Sequence, residues 1–363
     1  MNQSVIFLFA ALGKLPIGGY KVVYEYANRL AKDGYKVGIV YPAYCARIGQ
    51  SKLMKVLGIC KGVLRYILNI ITKGYSCRNW FKLDSRVKEY FTWSLSEKCV
   101  PIADVYFATA IDTSPYLNSY IRITNERKYY LIQGFEDWTG LSSEQVIATY
   151  RYPMNKIVIA HWLEDIVRKT GEKCTVINDG FDFEYFKKST DIQNRNRYTV
   201  CMLYHNVESK GSIDGFKALE LVKEQYPLLQ VNIFGISPRP KFLPDWYHYY
   251  QKPDQDTHNK LYNESAIFIG TSWVEGWGLT VGEAMMCGCA VACTDNQGYL
   301  EMAKNEETAL VSPVKDPVAL ANNIMRLISD DALRHRIAEV SYRNIQKFTW
   351  ESSYGKLKKL LER

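Results

Sequence analysis

The sequence predicts an α/β protein of two similar domains, each built on a parallel sheet, and three observations support this. Its 363 residues exceed the size at which one hydrophobic core keeps growing, so two domains of about 170 residues each are expected. Short apolar runs alternate with amphipathic stretches, as buried parallel strands alternate with crossover helices. The rhythm halts at a polar, turn-rich stretch and then restarts. The expected organisation is an N-terminal domain 1–180, a linker 181–197, a C-terminal domain 198–340 and a last helix, 341–363, packing back toward the N-terminal domain.

In chain order, "VIFLFAA" (5–11) is the first strand rather than a signal peptide, because no basic segment precedes it. Val22, Val23, Tyr26, Ala27 and Leu30 then share one helical face, and Gly34 stands where a left-handed C-cap belongs. Further strands are expected at 104–109, 128–132, 156–160 and 174–177. After the polar stretch come a strand at 198–204, a helix at 211–226, strands at 228–235 and 266–270, a helix from about 280 and a strand at 290–294. Residues 316–363 read as consecutive helices, with Asp316 and Pro317 as N-cap and first residue.

With 47% hydrophobic and 23% charged residues the chain can bury sizeable cores, which excludes a disordered protein. Nine cysteines lack any Cys-x-x-Cys pairing, which argues against a zinc or redox motif and suits a reducing, cytoplasmic setting. No apolar run is long enough to cross a membrane. The net charge of +8 is concentrated: residues 47–100 carry eleven bases against three acids, and the remainder is neutral.

The stretch "AIFIGTSWVEGWGLTVGEAMM" (266–286) carries the most chemistry. A strand runs into a loop containing Gly276 and Gly278 and then into a helix, the layout in which α/β sheets hold anions at helix N-termini. Bare glycines let the N–H groups of Gly278, Leu279 and Thr280 approach a diphosphate closely. Glu283, one turn into the helix, is placed to accept from ribose hydroxyls, and Glu275, before the loop, to face a sugar joined to that diphosphate. Lys210 before Gly211 puts a cation at another helix start, where it opposes the helix dipole unless an anion is also present.

This stretch resembles the Glu-x7-Glu signature of retaining glycosyltransferases of family 4, of bacterial surface polysaccharide type. Ordered matches extend along most of the chain: "PIGGYKVVYEYANRLAKDGYKV", "VINDGFDFEYF", "ESKGSIDGFKAL", "TDNQGYLEM" and "FTWESSYGKL". Only about 42–103 has no matching pattern. The resemblance implies a GT-B fold, two Rossmann-like domains facing each other across a cleft, with C-terminal helices. It implies an N-terminal acceptor domain, a C-terminal nucleotide-sugar domain, and transfer of a sugar from a nucleotide diphosphate to a glycan or lipid-linked glycan with retention, in capsule, O-antigen or exopolysaccharide assembly. Catalytic roles fall on Glu275, Lys210 and Glu283. Donor contacts fall on these and on Gly18, Gly19, His205, Gly278, Leu279 and Thr280. No enzyme nucleophile, cofactor or metal is implied.

Relatives place an arginine where this chain has His205. Histidine is a weaker clamp on a diphosphate unless protonated, so either leaving-group stabilisation is weaker here or Arg239 or Lys241 assists. At strand ends of the N-terminal domain, Asp112, Thr113, Gln133 and Glu136 either orient an acceptor hydroxyl or are ordinary polar loop residues. A sugar-nucleotide epimerase and a catalytically silent donor-binding subunit are the rival functions. A dehydrogenase is disfavoured, because the first strand is not followed by Gly-x-Gly-x-x-Gly.

The unmatched basic region contains "KLMKVLGICKGVLRYILNIITK" (52–73), an amphipathic helix with Leu53, Val56, Ile59, Val63, Leu64, Ile67 and Ile71 on one face. Two readings stand. The helix, with the following segment to about 82, is an interfacial anchor on an anionic membrane, its aromatics and lysines at headgroup level. Otherwise its apolar face packs on the N-terminal sheet. Nucleic acid is not expected as a partner, since the bases are interleaved with aliphatics.

Overall fold

The structure, a computed structural model, describes residues 3–137 and 140–362. The chain divides into two units, Met1–Asn178 with Ser353–Arg363, and Asp179–Ser352. In the first, seven strands form one sheet: β1 (Ser4–Leu8), β2 (Lys36–Pro42), β3 (Lys88–Thr92), β4 (Val105–Ala108), β5 (Lys128–Ile132), β6 (Asn155–Val158) and β7 (Cys174–Val176). Their order is β3-β2-β1-β4-β5-β6-β7, and every pairing is parallel. Phe7 of β1, Phe107 of β4 and Tyr129 of β5 form an aromatic row across it, with centroids 4.8 and 4.9 Å apart. The helices of this unit are α1 (Gly18–Lys32), α2 (Lys52–Thr72), α3 (Ser114–Asn118), α4 (Ser143–Tyr150) and α5 (His161–Arg168).

The second unit repeats the plan with β8 (Thr199–Tyr204), β9 (Gln230–Gly235), β10 (Tyr247–Gln251), β11 (Ile267–Gly270), β12 (Ala290–Thr294) and β13 (Leu310–Ser312). They pair in parallel in the order β10-β9-β8-β11-β12-β13. Its helices are α6 (Ser212–Gln225), α7 (Gln255–Glu264), α8 (Leu279–Met286), α9 (Gln297–Leu300), α10 (Pro317–Ser329) and α11 (Asp331–Ile345). Val200, Ile233, Ile267 and Ala292 of the sheet close a core with Leu219 and Ile324 of the covering helices. Both sheets reverse strand order between their first and fourth strands, the switch point at which such sheets bind ligands.

The polar stretch 181–197 belongs to the second unit. Ile192 is in its core and Arg195 is buried, donating to the carbonyls of Thr190, Tyr262, Ser265 and Cys287. Arg195 thus ties the stretch to the ends of α7 and α8, while Glu184, Lys187, Asp191 and Gln193 are exposed. The last helix, α12 (Trp350–Leu361), groups with the first unit from Ser353 onward. Ser353 Oγ donates to Asn178 O at 2.6 Å, Lys358 Nζ meets Asp33 Oδ2 at 2.6 Å, and Leu357 and Leu361 are buried.

Packing of α2's apolar face on the sheet, one of the two expectations, is overturned. Its inward side is the glycine side: a Cβ on Gly58 would lie 2.9 Å from the Tyr44 ring, and one on Gly62 would lie 3.0 Å from Tyr44 and 3.3 Å from Trp93. Tyr66 stacks on Phe91 and Arg65 donates to Ala43 O at 3.1 Å, so the apolar face points away from the unit. The following segment does not present its aromatics outward either. Tyr75 stacks on Phe91 at 5.0 Å, and Trp80 packs on Tyr24 at 5.7 Å while donating to Gly13 O at 2.7 Å.

Candidate functional site

In the second unit, the loops after β8 and β11 flank the switch point and are sewn together. Trp273 N donates to Ser209 O at 2.8 Å, Thr271 Oγ1 to Lys210 O at 2.8 Å, and Trp273 Nε1 to Asp214 Oδ2 at 2.7 Å. Gly211 has φ 62° and a Cβ there would lie 2.0 Å from Thr271 O. Only glycine allows this approach.

The sewn loops bring Lys210 and Glu275 together. Lys210 Nζ lies 2.8 Å from Glu275 Oε1, which also accepts from Ser272 Oγ at 2.7 Å. The anion required beside a cation at a helix start is thus supplied by the chain itself. The Lys210 side chain is 30% exposed. Lys210, Ser272 and Thr280 line one small pocket with Tyr299.

Helix α8 begins at Gly278, in the left-handed region at φ 95°, with no side-chain cap on its first N–H groups. A Cβ on Gly278 would lie 2.5 Å from the Tyr299 ring. Leu279 and Thr280 are its first two residues, so their amides point off the helix start beside Lys210's pocket. Glu283, one turn on, is 9% exposed and its Oε2 accepts from Tyr262 OH at 3.2 Å.

His205 follows β8. Its Nδ1 accepts from Val207 N at 3.1 Å, leaving the ring proton on Nε2. Burial, then the Lys210 ammonium, holds its pKa below the ordinary histidine value, against the Glu275 carboxylate. The structure therefore favours a neutral hydrogen-bonding ring over a second cation. The guanidinium of Arg239 donates to the carbonyls of Tyr247, Leu243 and Pro244 at 2.8–3.0 Å, closing its own loop.

A second group gathers at the carboxyl ends of β1, β4 and β5 in the first unit. Gly18 and Gly19 are the first residues of α1 and have no left-handed φ, a plain helix start. A Cβ on Gly19 would lie 3.1 Å from Gln133 Oε1. Gln133 Nε2 donates to Thr109 O, while its buried Oε1 has no hydrogen-bond partner among the described residues. Glu136 accepts from Ile111 N at 3.1 Å, and burial pushes its carboxyl up to about 7. Asp112 Oδ1 accepts from Ile48 N at 3.2 Å and its pKa is raised by burial. Thr113 spends its hydroxyl on Thr109 N, Ala110 N and Ala110 O, a turn-holding role.

Sequence reasoning missed the residues that hold this geometry: Ser272 on Glu275, Tyr262 on Glu283, and Asn296, which donates to Ser272 O at 2.8 Å and caps α9. Asn296 and Tyr299 lie inside a quoted motif, so that signal was present. Ser272 lies inside the quoted stretch 266–286 as well, whereas Tyr262 carried no signal.

Residues 186–344 match the family model described as glycosyl transferases group 1. The O-antigen chain mannosyltransferase B of Escherichia coli is 30% identical over 100 residues, 28% of this chain and 26% of that protein. A D-inositol 3-phosphate glycosyltransferase of Salinispora tropica is 28% identical over 117 residues, 32% of this chain and 23% of that one. A probable sucrose-phosphate synthase 3 of Arabidopsis thaliana is matched over 11% of its length, so the chain spans only about a tenth to a quarter of these relatives. Among solved structures, HepE of Anabaena in complex with UDP-glucose superposes with a TM-score of 0.71 at 16% identity, covering 99% of both chains. Sucrose-phosphate synthase from Thermosynechococcus elongatus does so at 0.71 and 15%, covering 99% and 98%. The chain has the GT-B fold, two Rossmann-like parallel-sheet units, and its residues 186–344 carry the glycosyl transferases group 1 pattern.

Proposed function

We propose that the protein is a retaining glycosyltransferase of family 4 type, moving a sugar from a nucleotide diphosphate to a glycan or lipid-linked glycan in cytoplasmic assembly of a surface polysaccharide. The observation that carries this is the Lys210–Glu275 pair, 2.8 Å apart beside the uncapped start of α8. On this proposal the donor diphosphate takes Lys210 from Glu275 and rests against the amides of Gly278, Leu279 and Thr280. Glu275, released, accepts from the donor sugar. Glu283 holds the ribose, with Tyr262 fixing its rotamer.

Breaking the sugar–phosphate bond develops negative charge on the diphosphate. An ammonium and amides held in place beforehand stabilise that charge without reorganising, the largest kind of term in such sites. The leaving oxygen takes the acceptor proton, and the acceptor attacks from the same face, which retains configuration. Neither nucleophile nor metal is required. His205 contributes an Nε2–H and Gln133, Glu136 and Asp112 serve the acceptor, while Gly18 and Gly19 allow close approach at the start of α1. The E. coli mannosyltransferase similarity supports the polysaccharide assignment.

A panel of nucleotide sugars in a thermal-shift assay, followed by transfer or donor hydrolysis, tests the proposal. A ligand at about a hundred times its Kd adds about 2.7 kcal/mol to folded stability. Glu283→Ala and Lys210→Ala are each expected to lower turnover at least about tenfold. Full turnover in both variants would remove the site assignment. A neutral His205 and an ion-paired Lys210 also fit a silent donor-binding subunit, and stabilisation by a donor with neither hydrolysis nor transfer would establish that reading.

A further inference from the structure

We infer that α2 is an interfacial helix that docks the first unit on an anionic lipid surface. Eleven of its large apolar side chains are 43–78% exposed, among them Leu53, Leu64, Ile67 and Ile71. At about 100° per residue Leu53, Leu64, Ile67 and Ile71 lie opposite Gly58, Gly62 and Tyr66, the side that touches the protein, and the others extend the face toward both flanks. On the same wheel Lys61 and Arg65 border the apolar face on one edge, Lys52 lies among the apolar residues, and Lys55 falls on the side of Gly62 and Tyr66 near the helix start. The cross-section is therefore glycine below, a broad apolar face above and a cationic margin at Lys61 and Arg65, the form of a helix lying in the plane of a membrane.

Charge selects the occupant. Residues 51–83 contain seven bases, Lys52, Lys55, Lys61, Arg65, Lys73, Arg78 and Lys82, and no acid. A second copy seated on this face would bring like-charged margins together with nothing in the segment to pair them. Anionic headgroups supply the missing charge while acyl chains cover the apolar face. The helix lies on the membrane rather than crossing it, because no helix of the described residues is long and apolar enough to span one. Contact is confined to α2, since Tyr75 and Trp80 are turned into the unit.

The loop leading into α2 donates from Ile48 N to Asp112 and from Ala46 N to Tyr116 OH. The docking helix is thus tied to the strand ends that carry the candidate acceptor residues. Lipid binding itself does not depend on the proposed transfer chemistry.

Flotation of the full chain with phosphatidylcholine vesicles, with and without phosphatidylglycerol, tests this at physiological salt. The chain is expected to float with the anionic vesicles, more weakly with neutral ones and more weakly as salt rises. The Leu64→Glu/Ile67→Glu variant, altered only at exposed positions, is expected to keep its unfolding midpoint and bind at least about tenfold more weakly. A Lys52→Gln/Lys55→Gln/Lys61→Gln variant should lose the preference for anionic lipid. Absence of flotation, equal flotation of the Leu64→Glu/Ile67→Glu variant, or a dimer abolished by that variant without lipid binding would each overturn the inference.

Discussion

Glu136 shows how one buried acid couples the candidate acceptor side to pH. Burial raises its carboxyl from 4.5 to about 7, outweighing the Ile111 N–H bond that favours the charged form, and Asp112 adds like charge. An acid whose folded pKa lies above its unfolded value contributes stability that is complete below the unfolded pKa and lost as pH rises through the folded one. The window therefore runs from 4.5 to about 7, and the loss is on the order of 3 kcal/mol. In denaturant titrations across it, Glu136→Gln should lose less stability with rising pH than the parent. Identical slopes would mean that the carboxyl titrates normally. Asp179, buried with one oxygen unpartnered among the described residues and raised by burial to about 8, slopes the same way, so the difference between variant and parent is the informative quantity.

At the level of elements, α8 depends on its entry. Gly278 combines a left-handed φ of 95° with ring contact at 2.5 Å for any added Cβ. Gly278→Ala is expected to cost at least about 2 kcal/mol, from backbone strain plus displacement of Tyr299, read as a lower denaturant midpoint. The same variant should lose stabilisation by nucleotide sugar, because the amides of Leu279 and Thr280 are re-aimed. An unchanged midpoint would show that the helix start has slack. Helix α2 is the opposite case, since its inward glycines let it rest on Tyr44 and Trp93 while its hydrophobic residues remain outside.

For the whole molecule, the chain order and the spatial grouping differ. Residues 353–363 follow the second unit in sequence and group with the first. They bring two buried leucines, Leu357 and Leu361, and the contacts of Tyr354 and Lys358 with Asp33 Oδ2 at 2.8 and 2.6 Å. Deleting them should destabilise the first unit by at least about 3 kcal/mol, mostly through the leucines, because the surface pair is worth little. Separate unfolding transitions monitored by hydrogen exchange would show protection falling in residues 3–178 first. Equal protection before and after deletion would assign the helix no stabilising role.

The sequence by itself determined the interior strands, the helices α1, α2, α6, α8 and those at the C-terminal end, and the glycine loop after β11, because parallel strands buried on both faces are near-continuous apolar runs that need no context to be seen. Helices α3, α4, α5 and α7 are not legible in it. The strands at 128–132 and 290–294 match their predicted limits, and Asp316 caps α10 as expected. It did not reveal β3, β10 or β13 at the sheet edges: β3 and β10 are largely half-exposed and lack an apolar run, and β13 is buried but only three residues long. Only the tertiary structure decided that Lys210 finds its counter-charge in Glu275, because a pair 65 residues apart is set by loops that cross in space. It also decided which way α2 turns. An amphipathic pattern specifies two faces, but the neighbouring surface selects between them, and here it is the glycine side that rests closely on Tyr44 and Trp93.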